Sequence, residues 1–271
     1  MAGYVAAGRA SKSCVFGEEL MHFVLPHFAT AAFWVALWKI MIANVILSGD
    51  NAVVIALAAR SLPPKQQKLA IFWGAGAAIV LRIVLTLFAV ALLTLPWLKL
   101  IGSALLFWIG IQLLVPEDEG GDVAASEHLF TAVKTILIAD LVMSLDNVIA
   151  VAAAAGGSLI LLVLGLAISI PLVVFGATLL VKAMERYPVI ITVGAGLIGW
   201  VAGEMLIADH ALQPWLTGYG VTYAGEAAQA HPHYGGLNLE WVSGAIGVAV
   251  VVVAGTWLGR KKAAARPRPN S

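Results

Sequence analysis

The chain has 271 residues, of which 61% are hydrophobic and 11% are charged, and its mean hydropathy is +0.94. A soluble domain is about 45–50% apolar and about 25% charged, so this composition predicts an integral membrane protein in a lipid bilayer. The net charge of +1 argues against a nucleic-acid partner, and the single cysteine, Cys14, excludes a disulfide framework.

Seven apolar stretches predict seven transmembrane helices, because about 20 residues cross a bilayer and breaker residues or charges separate the stretches. The predicted spans are residues 31–59, 69–95, 97–115, 130–156, 158–181, 188–208 and 240–259. The remaining segments are predicted as an N-terminal extension at 1–30, an acidic loop at 116–129, an outer loop at 209–239 and a disordered basic tail at 260–271. We therefore predict an all-α membrane protein.

The basic residues predict how the chain is oriented. Eleven Lys and Arg residues fall on the side of the tail and four on the other side. By the positive-inside rule the N-terminus lies outside the cell and the C-terminus in the cytoplasm. Met21 precedes the first apolar stretch, so we expect the native product to start there rather than at Met1.

The first three predicted helices, 31–115, are repeated in the next three, 130–208. Residues 40–59 laid over 136–155 give nine identities in twenty at an offset of 96, and these include Asp50 over Asp146 and Asn51 over Asn147. An odd number of helices per unit makes the second copy enter from the opposite side, which is the inverted repeat of transporters. The last helix, 240–259, is the unrepeated extra.

Of the charged residues inside the predicted spans, five are candidates for a polar site: Asp50, Asp140, Asp146, Glu204 and Arg82. A charge at the bilayer centre costs about 2.5–3.5 kcal/mol, so these side chains are expected to face the bundle interior, pair or bind a ligand. Helical spacing puts Asn44, Ser48 and Asn51 on one stripe, and Asp140, Ser144 and Asn147 on the repeated one. In the repeat Gln112 corresponds to Glu204, and both are expected to face the axis between the repeats.

Oxygen ligands without Cys or His favour a hard divalent cation such as Mn²⁺, Mg²⁺ or Ca²⁺. The predicted ligands are carboxylates and amides of the repeated helices together with Glu204, namely Asp50, Asn51, Asp146, Asn147, Asn44, Asp140 and Glu204. Arg82 is predicted to be an internal counter-ion, with structural pairing to Asp140 or Glu204 as the alternative. Histidines of the outer loop are expected to be solvated.

The segments Ser48-Gly49-Asp50-Asn51 and Ser144-Leu145-Asp146-Asn147, with 165–176 and 199–205, resemble the TerC family and its YjbE-type bacterial branch. The resemblance implies a multi-pass protein of the lysine-exporter-like superfamily. Members are associated with Mn²⁺ export, and the family name comes from tellurium resistance. By similarity, the Asp and Asn of each segment are the acidic motif residue and its partner.

These observations predict an exporter of divalent cations, with Mn²⁺ as the favoured ion, that works by alternating access at a site near the membrane midplane. Asp140 or Glu204 is expected to carry protons for coupling. The alternatives are an exporter of an amino acid or another organic cation, and a non-transporting scaffold in metal or tellurium stress resistance. The expected partners are the transported ion and the lipid bilayer, and the sequence does not decide whether the protein forms a homodimer. We expect no cofactor and no enzymatic activity, since no nucleophile or phosphate-loop pattern is present.

Overall fold

The computed structural model describes residues 31–88, 95–115, 125–155, 158–224 and 231–264. Three predicted features lie outside the described residues: the extension at 1–30, the acidic residues at 116–122 and the tail beyond Ala264. Within the described ranges some side chains are not described, and that of Asp146 is one of them.

The first predicted helix is two helices, α1 (Ala31–Leu47) and α2 (Gly49–Ala59), which meet at Ser48. Ser48 has φ −109° and ψ 5°, outside the helical range, while its carbonyl accepts a hydrogen bond from the Ala52 amide at 3.0 Å. Glycine is a poor helix former, which favours a break at Ser48-Gly49. The break lies directly before Asp50 and Asn51.

The remaining long helices follow in chain order, separated by short connections. They are α3 (Pro64–Leu87), α4 (Leu98–Leu114), α5 (Ala125–Ala155), α6 (Leu159–Arg186), α7 (Val189–Ile207) and α9 (Leu239–Ala264). Pro64 stands in the first turn of α3, where its missing N–H costs no helical hydrogen bond. The helix α5 is continuous through Ser144-Leu145-Asp146-Asn147, unlike its counterpart at Ser48.

Five of the described helices are long and apolar enough to cross a membrane: α3, α5, α6, α7 and α9. Shorter apolar helices occur at 33–42, 49–59 and 98–114. The described part of the chain is thus mostly helical and has the composition of an integral membrane protein.

The outer region at 209–239 is not one irregular loop. It contains the short helix α8 (Gln213–Gly218) and an antiparallel sheet of β1 (Thr222–Ala224), β2 (His231–Tyr234) and β3 (Leu237–Asn238) in the order β1-β2-β3. The short strands could not be predicted from the sequence, because they are too short to show a clear alternation of apolar and polar residues and turn residues surround them. The start of the tail also differs, because α9 continues through Arg260, Lys261 and Lys262 to Ala264.

Asp209 is buried, although it lies just beyond the end of a helix. Its side chain is 1% exposed and accepts backbone N–H groups of Trp97, Leu100 and Ala211 at 3.1, 2.9 and 2.7 Å. The bonds from Trp97 and Leu100 satisfy N–H groups at the start of α4, which have no acceptor within that helix. Asp209 therefore ties the end of α7 to the start of α4.

The helices pack in two groups that share α2 and α5 as neighbours. In one group α3 packs against α5 and α6, with α1 and α2 between α5 and α6; in the other, α7 packs against both α4 and α9. A Cβ added at Gly199 would lie 2.5 Å from the Gly247 carbonyl oxygen, so the backbones of α7 and α9 nearly touch. Small residues at such a crossing are typical of helix pairs in membranes.

Candidate functional site

Arg82 on α3 is the centre of a buried polar cluster. Its Nη1 donates to Asn44 Oδ1 at 2.7 Å and to Ser48 Oγ at 2.9 Å. Its Nε donates to Ser144 Oγ at 3.0 Å, and its Nη2 forms an ion pair with Asp140 Oδ1 at 2.7 Å. We call these five residues the Arg82 cluster.

The cluster joins the repeated stripes of the sequence. Asn44 and Ser48 are four residues apart at the end of α1, and Asp140 and Ser144 are four residues apart on α5, so each pair lies on one helical face. Within each pair a serine hydroxyl bonds its partner: Ser48 Oγ to Asn44 Oδ1 at 3.3 Å and Ser144 Oγ to Asp140 Oδ2 at 3.1 Å. Arg82 thus donates to both copies of the same motif.

All members of the Arg82 cluster are buried, and Arg82 itself is 2% exposed. A buried guanidinium is tolerated when its donors are satisfied and its charge is paired, and Asp140 supplies the paired charge here. Ser169 on α6 accepts from Asn44 Nδ2 and donates to the Leu166 carbonyl at 2.7 Å. Sequence spacing within one helix could not identify Ser169, because its signal is only a serine in an apolar helix.

Asp50 and Asn51 lie in the first turn of α2, next to the break. The Asp50 carboxylate accepts the Asn51 backbone N–H at 2.8 Å. The Asn51 side chain is 2% exposed, yet neither its Nδ2 nor its Oδ1 has a hydrogen-bond partner among the described residues. A buried amide without a partner costs about 1–3 kcal/mol, so the Asn51 side chain in this state lowers the stability of the fold.

The other predicted site residues are placed as follows. Asn147 Nδ2 donates across the helix pair to the Leu47 carbonyl at 3.2 Å, which puts it beside the break. The side chain of Asp146 lies outside the part of the chain that the structure describes. Glu204 accepts from Trp200 Nε1 of its own helix at 2.6 Å, and the residues bonded to Arg82 include none from α7.

Gln112 does not face an axis shared with Glu204. It is exposed near the end of α4, where it lines a cavity of about 160 Å³ with His128 and Lys262. Correspondence between repeats gave the wrong orientation, because it aligns positions in the sequence and does not determine which neighbours each helix meets.

The outer histidines are partly exposed, and one of them is paired. His231 Nδ1 lies 2.7 Å from Glu240 Oε2 in the first turn of α9. Among the described residues no group of three or more His, Cys, Asp or Glu side chains could hold a metal ion. The carboxylate of Asp50 lies in the first turn after the break, and that of Asp140 is held by Arg82, which also donates to Ser48 at the break.

The arrangement separates two chemistries. In the Arg82 cluster each residue already forms hydrogen bonds within the cluster, and Asn44 and Asp140 accept from the guanidinium. At the break, a carboxylate and an amide of adjacent residues have free oxygen lone pairs at the start of a helix. Interrupted helices near the membrane midplane, with polar groups at the interruption, are the form that ion sites take in many transporters.

Comparison with known proteins shows that this chain is similar to membrane proteins of bacteria. It is 44% identical over 177 residues to the uncharacterized membrane protein YjbE of Bacillus subtilis, covering 65% of this chain and 81% of that protein. It is 28% identical over 184 residues to YkoY of the same organism, covering 60% of this chain but only 56% of YkoY. The UPF0053 inner membrane protein YgdQ of Escherichia coli K12 is 25% identical over 174 residues, covering 57% of this chain and 73% of YgdQ.

The helices, their composition and the buried polar cluster define an integral membrane protein. The family model described as the integral membrane protein TerC family matches residues 29–263, which is most of the chain. This chain belongs to the TerC family, and the resemblance drawn from its paired Asp-Asn segments is confirmed. No solved structure matches it.

Proposed function

We propose that this protein is a transporter that exports a hard divalent cation through a site at the break between α1 and α2, and that Mn²⁺ is the favoured substrate. The observation that carries the proposal is the Asn51 side chain, which is 2% exposed and has no hydrogen-bond partner among the described residues. The amide oxygen of such a side chain is available to bind an ion. The adjacent Asp50 carboxylate is negatively charged and therefore favours a cation. Carboxylate and amide oxygens suit Mn²⁺, Mg²⁺ or Ca²⁺.

We propose Asp50 and Asn51 as ligands from one repeat, with Asp146 and Asn147 as those from the other. Support for the second pair comes from sequence correspondence and from the bond between Asn147 and Leu47, which puts an amide of α5 beside the break. We no longer propose Asn44 and Asp140 as ligands, because both belong to the Arg82 cluster. Their hydrogen bonds with Arg82 connect the end of α1, beside the break, to α3 and α5. Arg82 then serves as a fixed counter-ion, which lowers the cost of an acidic site in a membrane.

Alternating access is the proposed mechanism, with the units 31–115 and 130–208 as inverted repeats and α9 as the extra helix. In this scheme α1 and α2 together form one crossing, and α4 forms another despite its 17 residues. Of the two candidate proton carriers we favour Glu204, because Asp140 is already paired with Arg82 at 2.7 Å. The proposed location is the bacterial inner membrane, with the N-terminus outside and no enzymatic step.

The test is cation efflux from vesicles that contain the purified full chain. Vesicles are loaded with Mn²⁺, Mg²⁺, Ca²⁺ or Zn²⁺, and efflux is followed for the unmodified protein and for Asp50→Asn and Asp146→Asn. We expect Mn²⁺ efflux to fall at least tenfold in both variants. The matched control is Glu185→Gln, which removes an exposed carboxylate at the end of α6 and should leave efflux unchanged.

Two results would reject the proposal. Mn²⁺ efflux that persists in both aspartate variants would mean that the break is not the site. Efflux of lysine or another amino acid, with none of any divalent cation, would replace the ion by an organic substrate.

A further inference from the structure

A groove of about 460 Å³ lies between the ends of α4 and α9. Its apolar walls are formed by Trp108, Ile111, Val115 and Leu258. Its polar groups are Gln112, Lys261 and Lys262. We call this surface the α4–α9 groove.

The α4–α9 groove is apolar along the helices and basic at its end. Leu258 and Lys261 are separated by one helical turn, so the apolar wall leads directly to an ammonium group. Trp108 and Leu258 are exposed, and they continue the apolar outer surface of the bundle. Lys261 Nζ lies 5.3 Å from the ring centre of Trp257, an aromatic side chain of the kind that occurs at membrane interfaces.

Behind the groove lies the cavity of about 160 Å³, which shares Trp108, Gln112, Val115 and Lys262 with it. This cavity adds hydroxyl and imidazole groups from Ser61, Thr131, Thr135 and His128. None of the described residues that line the groove or the cavity is an aspartate or a glutamate. The combined surface therefore presents cationic and neutral hydrogen-bonding groups at one end and hydrocarbon contacts at the other.

We propose that the α4–α9 groove binds one anionic phospholipid. Its phosphate would lie at Lys261 and Lys262, one acyl chain would run along Trp108, Ile111 and Leu258, and headgroup hydroxyls would enter the polar cavity. Basic pockets between transmembrane helices bind acidic headgroups in this way. The site lies at the opposite end of α2 from the break, so it does not depend on which ion the protein transports.

The test counts individual lipids on the full chain in a neutral detergent, by native mass spectrometry, over a titration of phosphatidylglycerol or phosphatidylcholine. We expect phosphatidylglycerol to bind more tightly than phosphatidylcholine. The double variant Lys261→Gln/Lys262→Gln should weaken the binding of phosphatidylglycerol roughly thirtyfold, at roughly fivefold for each lysine. The matched control is Arg260→Gln, an exposed charge on the same helix end that does not line the groove and should change binding less than twofold.

A competition arm distinguishes a lipid site from a site for a free anion. Glycerol 3-phosphate carries the charge without the acyl chains, and it should not displace phosphatidylglycerol at the same concentration. Competition as strong as that of the lipid would mean a site for soluble phosphates. Equal binding of the two lipids, or an equal loss in the Arg260→Gln control, would overturn the proposal.

Discussion

At the scale of single residues, Asn44 and Asn51 are the same amino acid in opposite situations. Both are buried, at 1% and 2% exposure, and they lie seven residues apart on the two sides of the break. Asn44 accepts a hydrogen bond from Arg82 and donates one to Ser169, whereas the Asn51 side chain has no partner among the described residues. A stability measurement can separate a residue that supports the fold from one that is kept for a ligand.

Asn51→Leu should stabilise the protein. The change removes a buried amide without partners and keeps a side chain of similar size, so the free energy of unfolding should rise by about 1–3 kcal/mol. Mn²⁺ efflux should fall in the same variant, because an amide ligand is lost. The measurements are the thermal unfolding midpoint in detergent and efflux from vesicles.

Asn44→Leu is the matched control, and it should act in the opposite direction. It removes an acceptor from Arg82 and a donor from Ser169, so the free energy of unfolding should fall by about 1–3 kcal/mol. If Asn51→Leu destabilised the protein as much as Asn44→Leu, Asn51 would have a structural role and the ion site would lose its main support.

The sequence predicted much of the polar core but not its division into two parts. Spacing by four residues placed Asn44 with Ser48 and Asp140 with Ser144, and the cost of charge in lipid required a partner for Arg82. Periodicity within a helix indicates which side chains share a face, but it does not indicate which neighbour that face meets. The hydrogen bonds that Arg82 donates to Asn44 and Asp140 could therefore be identified only from the packed structure, and so could the contact with Ser169.

At the scale of elements, the contact between α7 and α9 depends on glycine. Gly199→Ala would place a Cβ 2.5 Å from the Gly247 carbonyl oxygen, a backbone atom that cannot move without separating the helices. Overpacking of this kind costs about 1–3 kcal/mol, and we expect the thermal midpoint in detergent to fall accordingly.

The same substitution at Gly76, on α3, is the control for Gly199→Ala. A Cβ at Gly76 would meet nothing within 4 Å, and alanine favours a helix interior over glycine by about 0.5–1 kcal/mol. Gly76→Ala should therefore raise the thermal midpoint. A rise in both variants would show that α7 and α9 are not in close contact in the solubilised protein.

The elements themselves were predictable where their composition was uniform. The predicted spans 97–115 and 188–208 differ from α4 and α7 by a residue at each end, because proline, acidic residues or polar residues border them. The sequence predicted a single span over 31–59 that could loosen at Ser48-Gly49, and the structure divides it there, although the repeat of the same motif on α5 is continuous. The first copy has Gly49 where the second has Leu145, and leucine stabilises a helix relative to glycine by about 1 kcal/mol.

At the scale of the whole molecule, the connections at the helix ends fall into two groups. The end of α2, the end of α4, the start of α5 and the end of α9 line one cavity. At the other end Asp209 joins the end of α7 to the start of α4, and the sheet packs against the start of α9. Successive long helices thus run in alternating directions, which supports a scheme in which each of them, α4 included, crosses the membrane.

This scheme predicts the side on which each connection lies. Five proposed crossings separate Lys65 from Tyr219, and six separate Lys65 from Ala264. In a Cys14→Ser background, Lys65→Cys and Ala264→Cys should react with a membrane-impermeant thiol reagent only in inverted vesicles, because the positive-inside rule puts the basic side in the cytoplasm. Tyr219→Cys, at a residue that is 66% exposed, should react only in right-side-out vesicles.

Detergent-solubilised protein is the control for this labelling, since all three variants should react there. Reaction of the Lys65→Cys and Tyr219→Cys variants from the same side would require an even number of crossings between them. The 17-residue helix α4 would then be the one that fails to cross, because its length of about 25 Å is less than the hydrocarbon thickness of about 30 Å. An odd number of helices in each unit is what makes the second copy inverted, so that result would also remove the pairing of Asp50 and Asp146 at one depth.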